Sequence, residues 1–486
     1  MRAVIQAYPT ETTAKAGAFF ICYNTIMQED VLSPLDGRYQ KQLAPLTALC
    51  GPRAFAAARL RAEAAWLQTL AGLKLPGFKP FTQKEKAFLQ QSFSLSETDL
   101  QILSDIEHKG YKSRPATNHD IKAIEYFLAD KLGNSRANWV HFALTSEDIN
   151  SAAYAQILSD AVAGVILPVL EQIRRSLSNY SRKYARSILL ARTHGQPAVP
   201  TTFGREMKVF ERRLARQLQQ LKKQQISCKF GGAIGAYNAH QIAFPTINWP
   251  RVARGWLDRI NKGRRMKLVL TSISTQVDPR DSYAELFDNL RRLNTILLDF
   301  SQDMWHYISA GLVKQKVIAG EVGSSTMPQK VNPIDFENAE GNLGLATALL
   351  EFLSRKLPIS RLQRDLSDST VLRNIPVALG HCVLAYQSLL KGLNKTTFDV
   401  PFAQQEVLAH PEVLAEAYQT LLRAAGVPDA YEKIKQLTRA RIVKEKDLRD
   451  FIFRLNLDKK LTQKLVTLHL RDYIGLAVEQ ARGDYD

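Results

Sequence analysis

The sequence is poor in the two residues that break helices. It has 25 glycines and 20 prolines among 486 residues, together about 9%, where an average protein has about 12%. Because neither residue is well tolerated inside a helix, this shortage favours a mostly helical protein. The 45% of hydrophobic and 23% of charged residues are ordinary for a globular chain and exclude a disordered or fibrous one. The length is enough for about three domains of ~150 residues.

Paired cysteines and long apolar runs are also missing. The four cysteines, Cys22, Cys50, Cys228 and Cys382, lie far apart and form no CxxC pair, which argues against a zinc site or a disulfide framework. Free thiols of this kind are typical of a reducing cytoplasm. No stretch approaches the roughly 18 uncharged apolar residues that a membrane helix needs, so we expect no membrane association.

Motifs for metals and nucleotide cofactors are missing as well. No spacing of His, Cys and Asp residues is that of a metal-ligand set. Neither a GxGxxG loop nor a Walker A loop occurs. We therefore expect no bound metal and no cofactor.

Positive charge is in excess. There are 65 lysines and arginines against 47 aspartates and glutamates, which gives a net charge of +18 and a pI of about 9.6. Such an excess suits a nucleic-acid partner, a polyanionic small substrate or a generally basic surface. A basic helical nucleic-acid-binding protein is thus one alternative, but no recognised nucleic-acid module and no aromatic residue besides Trp256 accompany its main cationic cluster. That cluster comprises Arg251, Arg254, Arg259, Lys262, Arg264, Arg265 and Lys267.

From Asn150 onward, apolar residues repeat at helical spacing over long stretches. The helices that this spacing predicts are Ala152–Tyr180, Arg205–Gln225, Tyr283–Phe300, Asn338–Leu353 and Leu372–Leu393. The first is expected to kink at Pro168. Long helices joined by short loops predict an extended helical bundle.

The segment between Gly323 and Pro333 (GSSTMPQKVNP) is the most informative. A glycine followed by small hydroxyl residues makes a mobile loop whose backbone N–H groups can point at an anion. Lys330 and Asn332 add a cation and an amide donor that suit a carboxylate. The segment resembles the GSSxMPxKxN signature of the fumarase/aspartase superfamily and matches it at every fixed position. This resemblance implies release of fumarate by β-elimination, in a homotetramer with a long helical bundle core and active sites where three subunits meet.

Six further motifs, in the right chain order, resemble the adenylosuccinate lyase family, nearest to its bacterial branch. They are Ser33–Tyr39 (SPLDGRY), Thr117–Asp120 (TNHD), Thr145–Asn150 (TSEDIN), Arg192–Pro197 (RTHGQP), Ser360–Asp365 (SRLQRD) and Asp368–Asn374 (DSTVLRN). The resemblance implies an all-α, three-domain fold. The expected domains are an N-terminal helical domain at 27–139, a central long-helix bundle at 140–393 and a C-terminal helical domain at 394–486. Residues 1–26 have no counterpart, so we expect a disordered extension there.

The resemblance also implies a reaction. Enzymes of this family cleave adenylosuccinate to AMP and fumarate, and SAICAR to AICAR and fumarate, in purine biosynthesis. Such a carbon–nitrogen lyase must remove a weakly acidic proton next to a carboxylate and protonate the departing nitrogen. By resemblance, Ser324 is the base, activated by loop N–H groups and Lys330. His194 is the acid, Glu337 pairs with a histidine of the site, for which His194 is the first choice, and His119 assists as a charge or donor.

The remaining implied roles concern substrate binding. Guanidinium and hydroxyl groups suit a phosphate, whereas amide, hydroxyl and ammonium groups suit the succinyl carboxylates. If the DSTVLRN segment is wound, Ser369 and Arg373 fall on one helical face. The expected binding residues are Arg38, Tyr39, Asn118, Asp120, Thr145, Ser146, Thr193, Gln276, Asn332, Arg364, Ser369 and Arg373.

This sequence departs from the family pattern at three positions. Gln329 and Arg280 stand where close relatives often have His, and Gly231 stands where they often have Asn. The changes at Gly231 and Arg280 can retune substrate contacts. Argininosuccinate lyases also carry Gln at the first of these positions.

Two alternatives within the superfamily remain open. One is an argininosuccinate lyase, against which the phosphate-type residues Arg38, Arg364 and Arg373 speak. The other is a catalytically silent relative of the lens-crystallin kind, against which the retention of Ser324 and His194 speaks.

Overall fold

The computed structural model describes residues 31–90, 93–317, 327, 329–438 and 443–484. The expected extension at 1–26 and the expected base Ser324 lie outside these residues. Helices make up most of the described chain, and six short strands form three two-stranded sheets within it. The expected all-α class is confirmed.

The elements of the described residues are as follows. The helices are α1 (Gln40–Cys50), α2 (Pro52–Gly72), α3 (Gln83–Leu89), α4 (Glu97–His108), α5 (Asp120–Leu132), α6 (Asn134–Ala137), α7 (Ser146–Ala161), α8 (Leu167–Lys183), α9 (Phe203–Lys223), α10 (Asn238–Ala243), α11 (Trp249–Asn261), α12 (Asp281–Ser309), α13 (Ile334–Lys356), α14 (Ser367–Leu372), α15 (Ile375–Lys395), α16 (Val400–Leu408), α17 (Ala415–Ala424), α18 (Ala430–Thr438), α19 (Glu445–Arg454), α20 (Lys459–Val466) and α21 (Ala477–Arg482). The strands are β1 (Ile188–Thr193), β2 (Gln196–Thr202), β3 (Ile226–Cys228), β4 (Leu268–Leu270), β5 (Val313–Gln315) and β6 (Thr396–Phe398).

The long helices follow the apolar periodicity. Helices α9, α12 and α13 cover the predicted segments to within a few residues or extend beyond them. The apolar residues of α12 are buried around much of its circumference, as their density predicts. The prediction was wrong at the start of the last helix, because Leu372 ends α14 and Pro376 lies in the first turn of α15. In a first turn the missing proline N–H costs no hydrogen bond.

The helix over Ser146–Lys183 is continuous but not uniform. A π turn at Val162–Ile166 joins α7 to α8, and Pro168 lies in the first turn of α8, where the kink was predicted. One 18-residue window of this helix has a mean hydropathy of 1.6, and 61% of that window is buried inside the protein. Length and composition alone would let it cross a membrane, but its apolar character is also that of a bundle core helix.

Two of the family motifs lie in regular secondary structure. Arg192–Pro197 is the tip of a hairpin in which Thr193 pairs with Gln196 across antiparallel β1 and β2. His194 and its glycine neighbour have φ values of 53° and 74°, the left-handed pair that a two-residue hairpin turn requires. The other motif, Thr145–Asn150, begins at the N-cap residue Thr145 and forms the start of α7.

Contacts at both ends of α12 show how α9 runs relative to it. Near the start of α12, the Gln224 amide donates to the Ser282 carbonyl at 3.2 Å. Near its end, the Tyr307 ring packs against Phe203 with the ring centroids 5.6 Å apart. Helices α9 and α12 are therefore antiparallel, and the hairpin that precedes α9 lies toward the C-terminal end of α12.

The buried apolar residues form three clusters. The largest joins α7, α8, α9, α12, α13 and α15 with α1 and one face of α2. A second lies between α2, α4 and α5, and a third joins β1 to α16, α17, α18, α19 and α20. The domain boundaries at residues 139 and 393 stay predictions.

Candidate active site

A cavity of about 600 Å³ lies between α1, α2, α7, α14 and the start of α15. Four of the expected binding residues line it: Asp120, Arg364, Ser369 and Arg373. The short helix α14 carries Ser369 and ends beside Arg373. The segment is thus wound from Ser367 to Leu372, and Ser369 and Arg373 both line the same cavity.

A buried ion-pair network stands behind the cavity wall. The Arg280 guanidinium donates to Glu147 Oε1 at 2.9 Å and to Asp368 Oδ2 at 2.5 Å. The Arg364 guanidinium lies 3.2 Å from Glu147 Oε2. Burial raises the pKa of Glu147, although Arg280 and Arg364 oppose the shift. Arg280 does not line the cavity itself, but the two carboxylates that it pairs with do.

Arg59 organises the opposite wall. Its guanidinium pairs with Asp120, and its Nε donates to Asn150 Oδ1 at 2.9 Å. Burial disfavours the charged form of Asp120, but the charge and hydrogen bond of Arg59, together with the Ile121 N–H, outweigh burial and hold the pKa of this carboxyl below its usual value. An ionised Asp120 accepts hydrogen bonds and cannot donate them.

Several cavity residues were missed by the sequence reasoning. They are Arg59, Glu147, Asn150, Tyr154 and Asp368. Glu147, Asn150 and Asp368 lie inside the family motifs, so reading each motif as a whole would have found them. Arg59 and Tyr154 lie on long helices outside any motif, and no sequence signal distinguishes them from the other polar residues of those helices. Burial raises the pKa of Tyr154 to about 12, so its hydroxyl remains a hydrogen-bond donor at neutral pH.

Asp148 connects the start of α7 to the glycine loop at residues 231–235 through hydrogen bonds. Its carboxylate accepts hydrogen bonds from the N–H groups of Thr145 (2.8 Å), Gly231 (3.0 Å) and Gly232 (3.1 Å). The Lys229 ammonium lies 2.7 Å from the same carboxylate, and neither side chain is exposed to solvent. A fully satisfied buried pair of this kind holds the glycine loop in one position.

The glycine loop has a shape that explains one departure from relatives. Gly231 has a φ of 134°, and a Cβ there would lie 2.8 Å from the Gly235 carbonyl oxygen. An asparagine would not fit this backbone. The expected binding residue Gln276 joins the loop to its neighbours, because its amide donates to the Ala233 carbonyl at 3.0 Å and its N–H donates to the Gln363 carbonyl at 3.3 Å.

Thr145 and Ser146 occupy the N-cap and the first position of α7 and are half-buried. The first N–H groups of a helix attract anions, which suits the carboxylate-binding role expected of these residues. Neither residue lines the 600 Å³ cavity.

The cavity of one chain is not electropositive. Its lining holds the carboxylates of Asp36, Glu107, Asp120, Glu147 and Asp368 against the guanidiniums of Arg59, Arg364 and Arg373. Arg59 and Arg364 are paired with carboxylates, whereas the Arg373 side chain makes no hydrogen bond or ion pair with another described residue. A ligand with a phosphate and two carboxylates would need more positive charge than this lining supplies.

The other expected residues of the N-terminal region lie beside this cavity rather than in its lining. The Arg38 guanidinium is exposed and lies 5.9 Å from the centre of the Tyr39 ring, just before α1. His119 is the N-cap of α5, where its Nδ1 accepts the Lys122 N–H at 3.3 Å. Asn118 precedes it in the left-handed region, with a φ of 47°.

The expected acid His194 lies toward the other end of the bundle. It sits with Thr193 at the tip of the β1–β2 hairpin, and both side chains are exposed. An ion pair of 2.5 Å between Arg192 and Glu406 fastens the hairpin to α16. The hairpin therefore presents His194 to the outside of its own chain.

Lys330, Asn332 and Glu337 lie at the same end. Glu337 lies in the first turn of α13 and accepts a hydrogen bond from the Trp305 indole N–H at 3.2 Å. Trp305 lies 24 residues beyond the start of α12 at Asp281, which is about 36 Å at the helical rise of 1.5 Å per residue. The described residues contain no hydrogen bond between Glu337 and His194, so the expected pairing is not made within one chain and stays a prediction.

The class of protein follows from comparison of this fold with solved structures. A fumarate lyase from Mesorhizobium sp. BNC1 superposes with a TM-score of 0.72 and 18% identity, covering 90% of this chain and 96% of that one. A 3-carboxy-cis,cis-muconate lactonizing enzyme from Pseudomonas putida superposes with a TM-score of 0.69 and 21% identity, covering 90% and 94%. A lyase family model also matches residues 58–347. The fold is that of the fumarase/aspartase-type lyases.

More similar relatives narrow this class. The adenylosuccinate lyase of Haemophilus influenzae is 43% identical over 92% of this chain and 97% of its own length. Those of Legionella pneumophila and Escherichia coli K12 are each 41% identical, over 94% and 92% of this chain and 98% and 97% of their own lengths. An adenylosuccinate lyase C-terminal model matches residues 360–474. The chain belongs to the adenylosuccinate lyase family.

Proposed function

We propose that this chain is a carbon–nitrogen lyase that cleaves adenylosuccinate to AMP and fumarate, and SAICAR to AICAR and fumarate. The observation that carries the proposal is the 43% identity to the Haemophilus influenzae adenylosuccinate lyase over nearly the whole of both chains. The cavity that gathers Asp120, Arg364, Ser369 and Arg373 from separate motifs supports it.

The proposed chemistry is proton transfer coupled to cleavage of one carbon–nitrogen bond. Ser324 takes a proton from the carbon next to a succinyl carboxylate, and the electron pair is held as an aci-carboxylate dianion. The carbon–nitrogen bond then breaks, and His194 gives its proton to the leaving nitrogen. A serine hydroxyl becomes a base only where its alkoxide is stabilised, which is the role proposed for Lys330. Glu337 would favour the protonated form of His194, and His119 would assist as a charge or donor.

The nucleotide phosphate is proposed to bind near Arg373 and Ser369. Arg373 is exposed and has no counter-ion among the described residues, so its charge is available to an anion. Arg364 is already engaged by Glu147 at 3.2 Å, which makes it a weaker phosphate ligand. The other proposed substrate contacts are Arg38, Tyr39, Asn118, Asp120, Thr145, Ser146, Thr193, Gln276 and Asn332.

A homotetramer with shared active sites is part of the proposal. One cavity holds five carboxylates and three guanidiniums, so a tetra-anionic substrate needs cations from elsewhere. Lys330 and His194 lie toward the far end of the same bundle, where they can serve the cavity of a neighbouring chain. We further propose a cytoplasmic protein with domains at 27–139, 140–393 and 394–486.

Release of fumarate tests the reaction. Purified protein is incubated in parallel with adenylosuccinate, SAICAR and argininosuccinate, and fumarate is measured by its ultraviolet absorbance after separation. We expect release from the first two substrates and none from the third. Release from argininosuccinate alone would keep the superfamily chemistry but reassign Arg38, Arg364 and Arg373 to structural roles. No release from any substrate, by folded protein, would favour a silent or binding role.

A further inference from the structure

A cavity larger than the candidate active site lies elsewhere in the described chain. It has a volume of about 1140 Å³ and lies between α2, the C-terminal half of α7, the π turn and the end of α11. It shares no lining residue with the 600 Å³ cavity. Its charged lining residues are Arg61, Arg259, Lys262, Arg264 and Arg265, with Asp160 as the single carboxylate. Four of these cations belong to the basic cluster that the proposed lyase reaction does not use.

Two of the five cations form the inner wall of this cavity. The Arg264 guanidinium lies 2.5 Å from Asp160 Oδ1 and donates to the Gln156 side-chain oxygen at 3.0 Å. Arg61 donates to the same Gln156 oxygen at 3.1 Å. Burial, followed by the Arg264 charge, lowers the pKa of Arg61 from its ordinary value. The inner wall therefore holds two guanidinium groups and one carboxylate, and its net charge is positive.

The other three cations have no carboxylate partner among the described residues. Arg259, Lys262 and Arg265 are exposed, and their side chains make no hydrogen bond or ion pair with another described residue. Cations at a helix C-terminus often bind the last carbonyl groups, but here Arg264 donates to Ile260 and Lys267 donates to Asn261, each at 3.1 Å. The last carbonyl groups of α11 therefore already have cationic partners, and the three exposed cations line the cavity instead.

We propose that this cavity is a second anion-binding site, for a small molecule that carries a chain of two or three phosphate groups. The five lining cations can engage several adjacent phosphates, which a single carboxylate or a sulfate would not engage together. Leu49, Leu89 and Phe93 line the cavity as well, so an apolar group such as a nucleoside base can lie against them. The concave shape favours a compact ligand over an extended nucleic-acid strand.

Calorimetric titration of sodium tripolyphosphate into the full-length protein tests this site. We expect one binding event per chain that weakens as salt rises. In Lys262→Gln/Arg265→Gln the affinity should fall about tenfold or more, since two charge-assisted contacts are lost. The matched control Lys464→Gln/Arg471→Gln removes the same charges from exposed positions where neither side chain makes a hydrogen bond or ion pair with another described residue. It should bind tripolyphosphate as the wild type does. Arg373→Gln, at the candidate active site, should also retain this binding event.

Titrations with ATP and with adenosine show whether the site binds a nucleotide or an inorganic polyphosphate. Tighter binding of ATP than of tripolyphosphate, with no binding of adenosine, would assign the site to nucleotides, whereas equal binding would assign it to inorganic polyphosphate. Lyase activity without added phosphate should be the same in the wild type and in Lys262→Gln/Arg265→Gln. The proposal is overturned if wild-type protein binds no tripolyphosphate, or if Arg373→Gln abolishes binding while the double variant retains it. Binding of single-stranded RNA that the double variant loses, without tripolyphosphate binding, would favour a nucleic-acid surface instead.

Discussion

Removal of the Arg280 guanidinium should destabilise the protein in a pH-dependent way. Arg280 neutralises Glu147 and Asp368 where all three side chains are at most 7% exposed. Arg280→Met keeps much of the side-chain volume and leaves the two carboxylates with Arg364 alone beside them. Breaking a buried ion pair typically costs about 3–5 kcal/mol, because the remaining charge stays buried without compensation. We expect a loss of that order in the free energy of unfolding at pH 8.

The direction of the pH dependence follows from the carboxyl groups. Without Arg280, burial should hold the pKa of Glu147 further above its unfolded value, because burial already raises this pKa in the wild type. A carboxyl with a raised folded pKa contributes stability below its unfolded pKa and loses it as the pH rises through the folded pKa. The difference between Arg280→Met and the wild type should therefore be largest at pH 8 and should shrink toward pH 5.

Urea unfolding followed by circular dichroism, at fixed chain concentration and at pH 5, 6.5 and 8, measures this difference. The double variant Arg280→Met/Asp368→Asn should recover part of the stability at pH 8, because one buried charge is gone. Arg449→Met is the control: it removes an arginine from an exposed pair with Glu445, with side chains 48% and 65% exposed, and should cost less than about 0.5 kcal/mol. An equal loss for Arg280→Met at all three pH values would refute the electrostatic reasoning.

Three further predictions use other features of the chain. Lys229→Met should cost about 3–5 kcal/mol, because it leaves the buried Asp148 carboxylate without its cation; an unchanged urea midpoint would contradict this. Gly204→Ala should cost at least about 1–3 kcal/mol, since its Cβ would lie 2.4 Å from a backbone carbonyl oxygen of α8, and a thermal unfolding midpoint equal to that of the wild type would exclude the clash. Ser324→Ala and His194→Ala should each abolish fumarate release, and mixing the two should restore part of it if different chains supply the two groups. No recovery, despite subunit exchange proven by native mass spectrometry, would place both groups in one chain.

Much of the helical architecture could be predicted from periodicity, because a buried helix must repeat its apolar residues every three or four positions. Helices α9 and α12 are examples. The β1–β2 hairpin was missed because its strands are short and its turn residues, His194 and Gly195, read equally well as part of a polar loop. The boundary at Leu372 was missed because α14 and α15 continue the same apolar stripe across a break of two residues.

The candidate site could be predicted only where motifs name its residues. Arg364, Ser369 and Arg373 were found in this way, and the cavity brings them together. Arg59 could not be found, because its pairing with Asp120 joins residues 61 positions apart, and any arginine on α2 has the same local pattern. Which polar residue of a long helix faces a cavity is decided by tertiary packing.

The geometry of the bundle bears on whether one chain can complete an active site. The cavity adjoins the start of α12 through Arg280, whereas Glu337 contacts Trp305 about 36 Å further along that helix. Lys330 stands four residues before α13, and an extended backbone of that length spans at most about 14 Å. Lys330 cannot therefore reach the cavity of its own chain unless α13 unwinds, which would expose the buried apolar residues of that helix. If Lys330 and Arg373 act on the same substrate, as we propose, they must come from different chains, and the rigid length of α12 is the physical reason for a shared site.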